Sequence, residues 1–155
     1  MKSICSAAVF LSALLLAGCG KNVDGRLPTY KVIGTVKYKG QLLEGADVIL
    51  QFPAHNKASF ARTNSSGEFR LGTYEKEDGA LAGEAFITVT KWEQLPPSNA
   101  LVAGDPGYDP NKAYTAEKEP KLLVPQKYSD FKTSGLKVVI EAKNSNDRLN
   151  IELED

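Results

Sequence analysis

The sequence predicts an all-β sandwich carried behind a short apolar leader. Three observations lead there. Segments in which apolar and polar residues alternate with a period of two recur after residue 30. Clusters of Gly, Asn, Asp and Ser separate them at short spacing. Beyond Cys19, no run of about ten or more residues carries helical periodicity.

The leader comes first. Lys2 supplies a positive start, residues 7–16 are almost unbroken apolar, and Leu16-Ala17-Gly18-Cys19 closes the run. That ending resembles the lipobox of bacterial lipoproteins. The resemblance implies a diacylglyceryl group on the Cys19 thiol, cleavage just before it, and anchoring of the mature chain to a membrane of the cell envelope. Gly20, rather than Asp, follows the cysteine, which in such lipoproteins implies the outer membrane of a two-membrane cell. Small Ala17 and Gly18 suit a narrow peptidase cleft. The run falls short of the roughly 20 residues that span a bilayer as a helix. A conventional secretory leader cut nearby is the alternative. The chain thus divides into a signal peptide (1–18), a lipidated N-terminus and tether (19–29), and a β-sandwich domain (30–155). Residues 20–28 of the tether hold two glycines and no period; nine residues reach at most about 30 Å, so the domain is expected to sit close to its membrane.

Within the domain, Tyr30, Val32, Gly34, Val36 and Tyr38 alternate with Lys31, Thr35 and Lys37, the pattern of a half-buried strand. Lys39-Gly40 opens a turn and Glu44-Gly45 closes it. Ala46, Val48, Leu50 and Phe52 repeat the alternation until Pro53 removes a ladder donor. A weaker strand follows at 58–63, then Asn64-Ser65-Ser66-Gly67 supplies a tight turn. Phe69 and Leu71 resume the inward face. An irregular connection is expected between Asp78-Gly79 and Ala82-Gly83, followed by a strand with Ala85, Ile87 and Val89 on one face and Phe86 on the other. Periodicity then lapses over about 93–127, where Pro96, Pro97, Pro106, Pro110, Pro120 and Pro125 fall. A loop of that length in a compact domain is usually functional. Leu136, Val138 and Ile140 restore order, residues 144–147 read as a polar turn, and Leu149, Ile151 and Leu153 form the last strand.

Composition narrows the function classes. The 155 residues are 42% apolar and 25% charged, with 19 Lys plus Arg against 19 Asp plus Glu; such a chain is globular and has no basic field to attract nucleic acid. Both cysteines, Cys5 and Cys19, precede the domain. The domain therefore holds no disulfide, thiolate metal site or cysteine nucleophile.

Val32-Ile33-Gly34-Thr35-Val36, Gly40, Glu44-Gly45-Ala46-Asp47-Val48 and Thr63-Asn64-Ser65-Ser66-Gly67-Glu68-Phe69 are together similar to carboxypeptidase regulatory-like domains. Val124-Pro125-Gln126-Lys127-Tyr128 and Thr133-Ser134-Gly135-Leu136 resemble the version carried by small bacterial lipoproteins. The resemblance covers about 30–153 and implies a transthyretin-like sandwich of Greek-key topology. It implies no activity, since function lives in sites rather than folds.

Candidate chemistry is sparse. The single histidine, His55, has no second histidine to share a metal with and reads as a solvated loop residue. Asp105-Pro106-Gly107-Tyr108-Asp109-Pro110-Asn111 offers oxygen ligands without the acidic spacing of a calcium loop. Trp92, Tyr108 and Tyr114 are the candidate ligand-binding residues, as an aromatic platform for a glycan or peptide. The reading is therefore a non-catalytic, lipid-anchored envelope module without cofactor or metal. Its expected partners are the membrane, through Cys19, and an envelope protein or glycan docking on the long loop or a sheet edge. The alternative is a small-molecule- or glycan-binding lipoprotein using Trp92 and the loop tyrosines.

Overall fold

The computed structural model describes residues 25–95, 104, 106–109 and 119–155, apart from the side chains of Asp147 and Arg148. The described residues form nine strands: β1 (Thr29–Tyr38), β2 (Gln41–Leu42), β3 (Asp47–Phe52), β4 (Lys57–Arg62), β5 (Glu68–Arg70), β6 (Ala80–Leu81), β7 (Gly83–Thr90), β8 (Lys137–Ile140) and β9 (Ser145–Leu153). The described helical structure is two short 3₁₀ turns, Pro53–His55 and Gln126–Ser129. The chain is an all-β sandwich, as its alternation predicts.

One sheet is organised around β1. Along 31–38 it pairs in parallel with β9, the last strand. A strand has two edges, so β5 and β2, which pair antiparallel with 33–35 and 37–38, take the other. β6 pairs with Thr29 and Tyr30. The second sheet is antiparallel throughout, in the order β4-β3-β7-β8.

The alternating residues meet between the sheets. Val32, Val36, Phe69, Ile151 and Leu153 face Val48, Leu50, Phe52, Ala85, Ile87, Val89 and Ile140, all buried. At the centre lies Gly34. The β1–β9 register slips there, Ile33 pairing with Asp147 and Gly34 with Leu149, so β9 bulges by one residue. A Cβ on Gly34 would overlap the Leu149 carbonyl and lie 2.5 Å from Phe69 Cζ. The Phe69 ring packs into the space that a side chain at 34 would fill.

Three sequence expectations are corrected. The connection at 79–83 is not irregular throughout, because buried Ala80 and Leu81 pair with β1 as β6; two-residue strands show no period. Residues 144–147 are not all turn. β9 starts at Ser145, and its polar first residues pair with Lys31, Val32 and Ile33. The long loop does not extend to 127. Lys121–Val124 returns against the end of β7: Trp92 and Leu122 form a bridge, Glu93 N donates to Lys121 O (2.8 Å), and Leu123 N donates to Lys91 O (2.7 Å). Val124 and Tyr128 are buried behind this clamp.

The Gln126–Ser129 turn also latches the end of β9. Tyr128 Oη accepts from Glu154 N and lies 3.0 Å from Glu154 O, and Lys127 Nζ donates to Asp155 O (2.8 Å). The Asp155 carboxylate accepts from Tyr38 Oη (2.7 Å) and lies 2.5 Å from Lys39 Nζ. The hydrogen bonds from Lys39 and then Tyr38 hold the Asp155 carboxyl below its ordinary value, while the bond to Asp155 raises Lys39 and Tyr38. A lowered carboxyl stabilises the fold above its unfolded pKa, and that contribution is lost as pH falls through the folded one. Raised Lys39 and Tyr38 contribute below their unfolded values and lose that contribution in alkali. The tie should hold from about pH 4 to about pH 10. All three groups are exposed, so its effect on stability is small and screened by salt. An NMR titration of the Asp155 carboxyl should give a midpoint below the normal aspartate range, moved upward by Lys39→Ala. An unchanged midpoint in that variant would remove the tie.

Candidate functional site

Two concave features stand out, one at the root of the long loop and one where the two sheets part. The first is built on Trp92. The alternation of β7 continues past Thr90, and the Trp92–Leu122 bridge fixes the residue at the strand end. The indole is half exposed and lines a cleft of about 390 Å³ with Leu122, Val124, Gln126 and Ser129. An aromatic face, two aliphatic side chains, an amide and a hydroxyl make a surface suited to a small amphipathic group. Tyr108 is 37% exposed and is not among the lining residues. Tyr114 and Cys19 lie outside the described residues. Of the two candidate aromatics among the described residues, Trp92 lines the cleft and Tyr108 does not.

His55 sits exposed in the Pro53–His55 turn, its Nε2 3.3 Å from Ala82 O. Of the acidic loop 105–111, only 106–109 are described. No three His, Cys, Asp or Glu side chains gather as a metal site among the described residues.

The second feature arises from the β4–β5 connection and was missed in the sequence. Residues 64–68 form a three-residue hairpin loop with a bulge: Gly67 N donates to Asn64 O and Asn64 N to Glu68 O, both at 2.9 Å. Gly67 holds φ +66°, and a Cβ there would lie 2.9 Å from Val36 O. Asn64 Oδ1 accepts from Ser66 N and Glu68 N. Four residues up each strand, Phe60 and Gly72 exchange two main-chain bonds (2.8 and 2.9 Å).

Arg62 and Arg70 lie midway between these rungs, and they form no ladder pair, since β4 and β5 share no register. Their strands belong to different sheets and part here. The gap opens a cavity of about 720 Å³, with Ala61, Thr63 and Phe69 on the inward-facing positions and Phe60, Arg62 and Arg70 on the outward-facing ones. Residues 73–77 form the far wall. That wall is held by Asp78, whose carboxylate accepts from Thr73 N (2.6 Å) and Tyr74 N (3.2 Å). Thr73 Oγ1 donates to Gly79 O and lies 2.7 Å from buried Ser59 Oγ. Arg26 reaches the same wall from just before β1, bonding Glu75 at 3.0 Å and lying over the Tyr74 ring. The segment just before β1 therefore joins the sandwich beside this cavity.

Other exposed apolar groups are partly covered. On the outer face of the second sheet, Phe86 lies under Lys137 (4.7 Å) and against Phe131 (6.4 Å between ring centres). Val139 is two-thirds exposed on β8, which pairs with β7 on one edge and with no strand on the other among the described residues.

Fold and clefts define a β-sandwich with recessed surfaces at two corners. No protein-family model and no curated protein matches the chain. A solved structure, a DUF3823 family protein from Parabacteroides merdae, aligns at 15% identity with a TM-score of 0.36, covering 83% of this chain. The chain spans about half, 47%, of that protein's length. A similarity of this size carries no argument about function.

Proposed function

We propose that this chain is a lipid-anchored module of the cell envelope that binds a partner rather than transforming a substrate. The observation that carries the reading is Leu16-Ala17-Gly18-Cys19, followed within a few residues by chain packed on the sandwich: Leu27 N already donates to Tyr74 Oη. The sandwich is held on a short leash. Its lineage, in this reading, is the carboxypeptidase regulatory-like, transthyretin-like group; buried Phe69 and the positive φ of Gly45 and Gly67 support it. Cys19→Ser expressed in a two-membrane host should leave an uncut precursor by intact mass, absent from the outer-membrane fraction. Unchanged processing and membrane partition would overturn the anchor.

The partner surface in this reading is the segment between Glu93 and Lys121, whose two ends are bonded to each other. Clamped ends make the segment dispensable for folding. Replacing residues 95–119 with Gly-Ser-Gly should keep Tm or raise it, because shortening a loop of this size is worth about 1–2 kcal/mol of closure entropy. The same variant should lose partners recovered from solubilised envelope by the full chain. Equal recovery would remove the segment from the reading. A second reading, a small-molecule- or glycan-binding lipoprotein, is favoured by the half-exposed Trp92 in its cleft. Trp92→Ala would then abolish binding while the loop replacement would leave part of it.

A further inference from the structure

The open rung at Arg62 and Arg70 is a site whose chemistry can be read from the ladder. Along β4 and just past it, Ser59, Ala61 and Thr63 point inward while Phe60, the residue that bonds Gly72, presents its main chain to the outer edge. Arg62, two residues on, presents its N–H and C=O the same way. Along β5 and just past it, Leu71 N donates to Val32 O on β1, whereas Glu68 and Gly72 bond Asn64 and Phe60. Arg70, between them, must turn its N–H and C=O toward Arg62. The gap is thus walled by the main-chain donors and acceptors of Arg62 and Arg70, which form no ladder pair among the described residues.

The rim repeats that balance. Arg62, Arg70 and Lys76 line the cavity against Glu68, Glu75 and Glu77, three charges of each sign. Glu75 is held by Arg26 at 3.0 Å, but the other rim ion pairs are long: Arg62–Asp47 is 3.4 Å, Arg70–Glu68 3.5 Å and Lys76–Glu77 3.9 Å. Charge-assisted bonds close at about 2.7–2.9 Å, so these side chains keep capacity for a ligand. Over the Gly72 rung lies Phe60, 55% exposed and also lining the cavity.

A net-neutral lining gives no field to concentrate an ion of either sign. Paired donors and acceptors call for groups that both give and accept hydrogen bonds, which is the property of hydroxyls. An exposed ring beside them offers an apolar face for C–H groups. We infer that the Arg62–Arg70 gap is a binding site for a neutral saccharide, with hydroxyls completing the missing rung and a sugar face resting on Phe60. The site is separate from the Trp92 cleft, and its test does not depend on the anchor at Cys19.

The full chain, ¹⁵N-labelled and purified in detergent, would be titrated with three neutral tetrasaccharides: β-1,4-linked N-acetylglucosamine, α-1,4-linked glucose and β-1,4-linked mannose. Citrate and tri-alanine serve as the anion and amide arms. The expected result is a saturable shift of the Arg62 and Arg70 amide signals with at least one tetrasaccharide. Phe60→Ala should weaken binding about tenfold, on the order of one well-packed aromatic contact. Arg70→Gln should also weaken it, with the spectrum elsewhere unchanged in both variants. The inference is overturned if no tetrasaccharide shifts those amides up to about 10 mM, near the lower limit of useful affinity. Shifts by citrate or tri-alanine alone would equally overturn it, marking an anion or peptide site. Saccharide shifts that both variants leave intact would place the sugar elsewhere.

Discussion

Gly34→Ala is expected to destabilise the sandwich by about 3 kcal/mol or more, lowering Tm by about 10 °C or more. The added methyl meets two groups with different freedom. Phe69 could rotate, but only by leaving the pocket that buries it to 2%. The Leu149 carbonyl belongs to the bulged stretch of β9 and cannot withdraw without opening the parallel ladder. Thermal unfolding by circular dichroism checks this, and a Tm within a degree or two of the parent would show that the bulge yields freely.

Phe69→Ala should cost about 3–5 kcal/mol, the range for truncating a buried aromatic. The two substitutions share a contact, so their effects should not add. In the double variant, Gly34→Ala loses one of its two clashes, and the total should fall short of the sum by about 1 kcal/mol or more. The Leu149 clash persists, so rescue is partial. Strict additivity in urea unfolding would show that the ring and the glycine do not compete for one space.

Much of this fold was legible because burial on one face writes itself into the sequence with period two. Val48, Leu50 and Phe52 on β3, and Ala85, Ile87 and Val89 on β7, were read correctly for that reason. Three kinds of information do not write themselves that way. Strands of two residues, β2 and β6, have no period to show. Which strands become neighbours is not local: nothing in Ser145-Asn146-Asp147 marks a pairing with residues more than a hundred positions earlier. Gaps between sheets are not local either, so Arg62 and Arg70 read as ordinary outward residues of a hairpin. One signal was available and was outweighed. Leu122-Leu123-Val124 is a compact apolar run between Lys121 and Pro125, and it packs against the body; the density of prolines around it drew the whole stretch into the loop. Trp92 stood out by type, but that the rest of its cleft would come from residues 122–129 depended on the chain's return.

The parallel pairing of β1 with β9 has a consequence for the order of events. Among the described residues β1 is the first strand to emerge, and its long edge stays open until residues 145–153 are available. Contacts spanning that much sequence form late and place such folds among the slow, millisecond-to-second class. A chain threaded through a membrane from its N-terminus would therefore remain unclosed during transit. It would lock only when its last strand arrived on the far side.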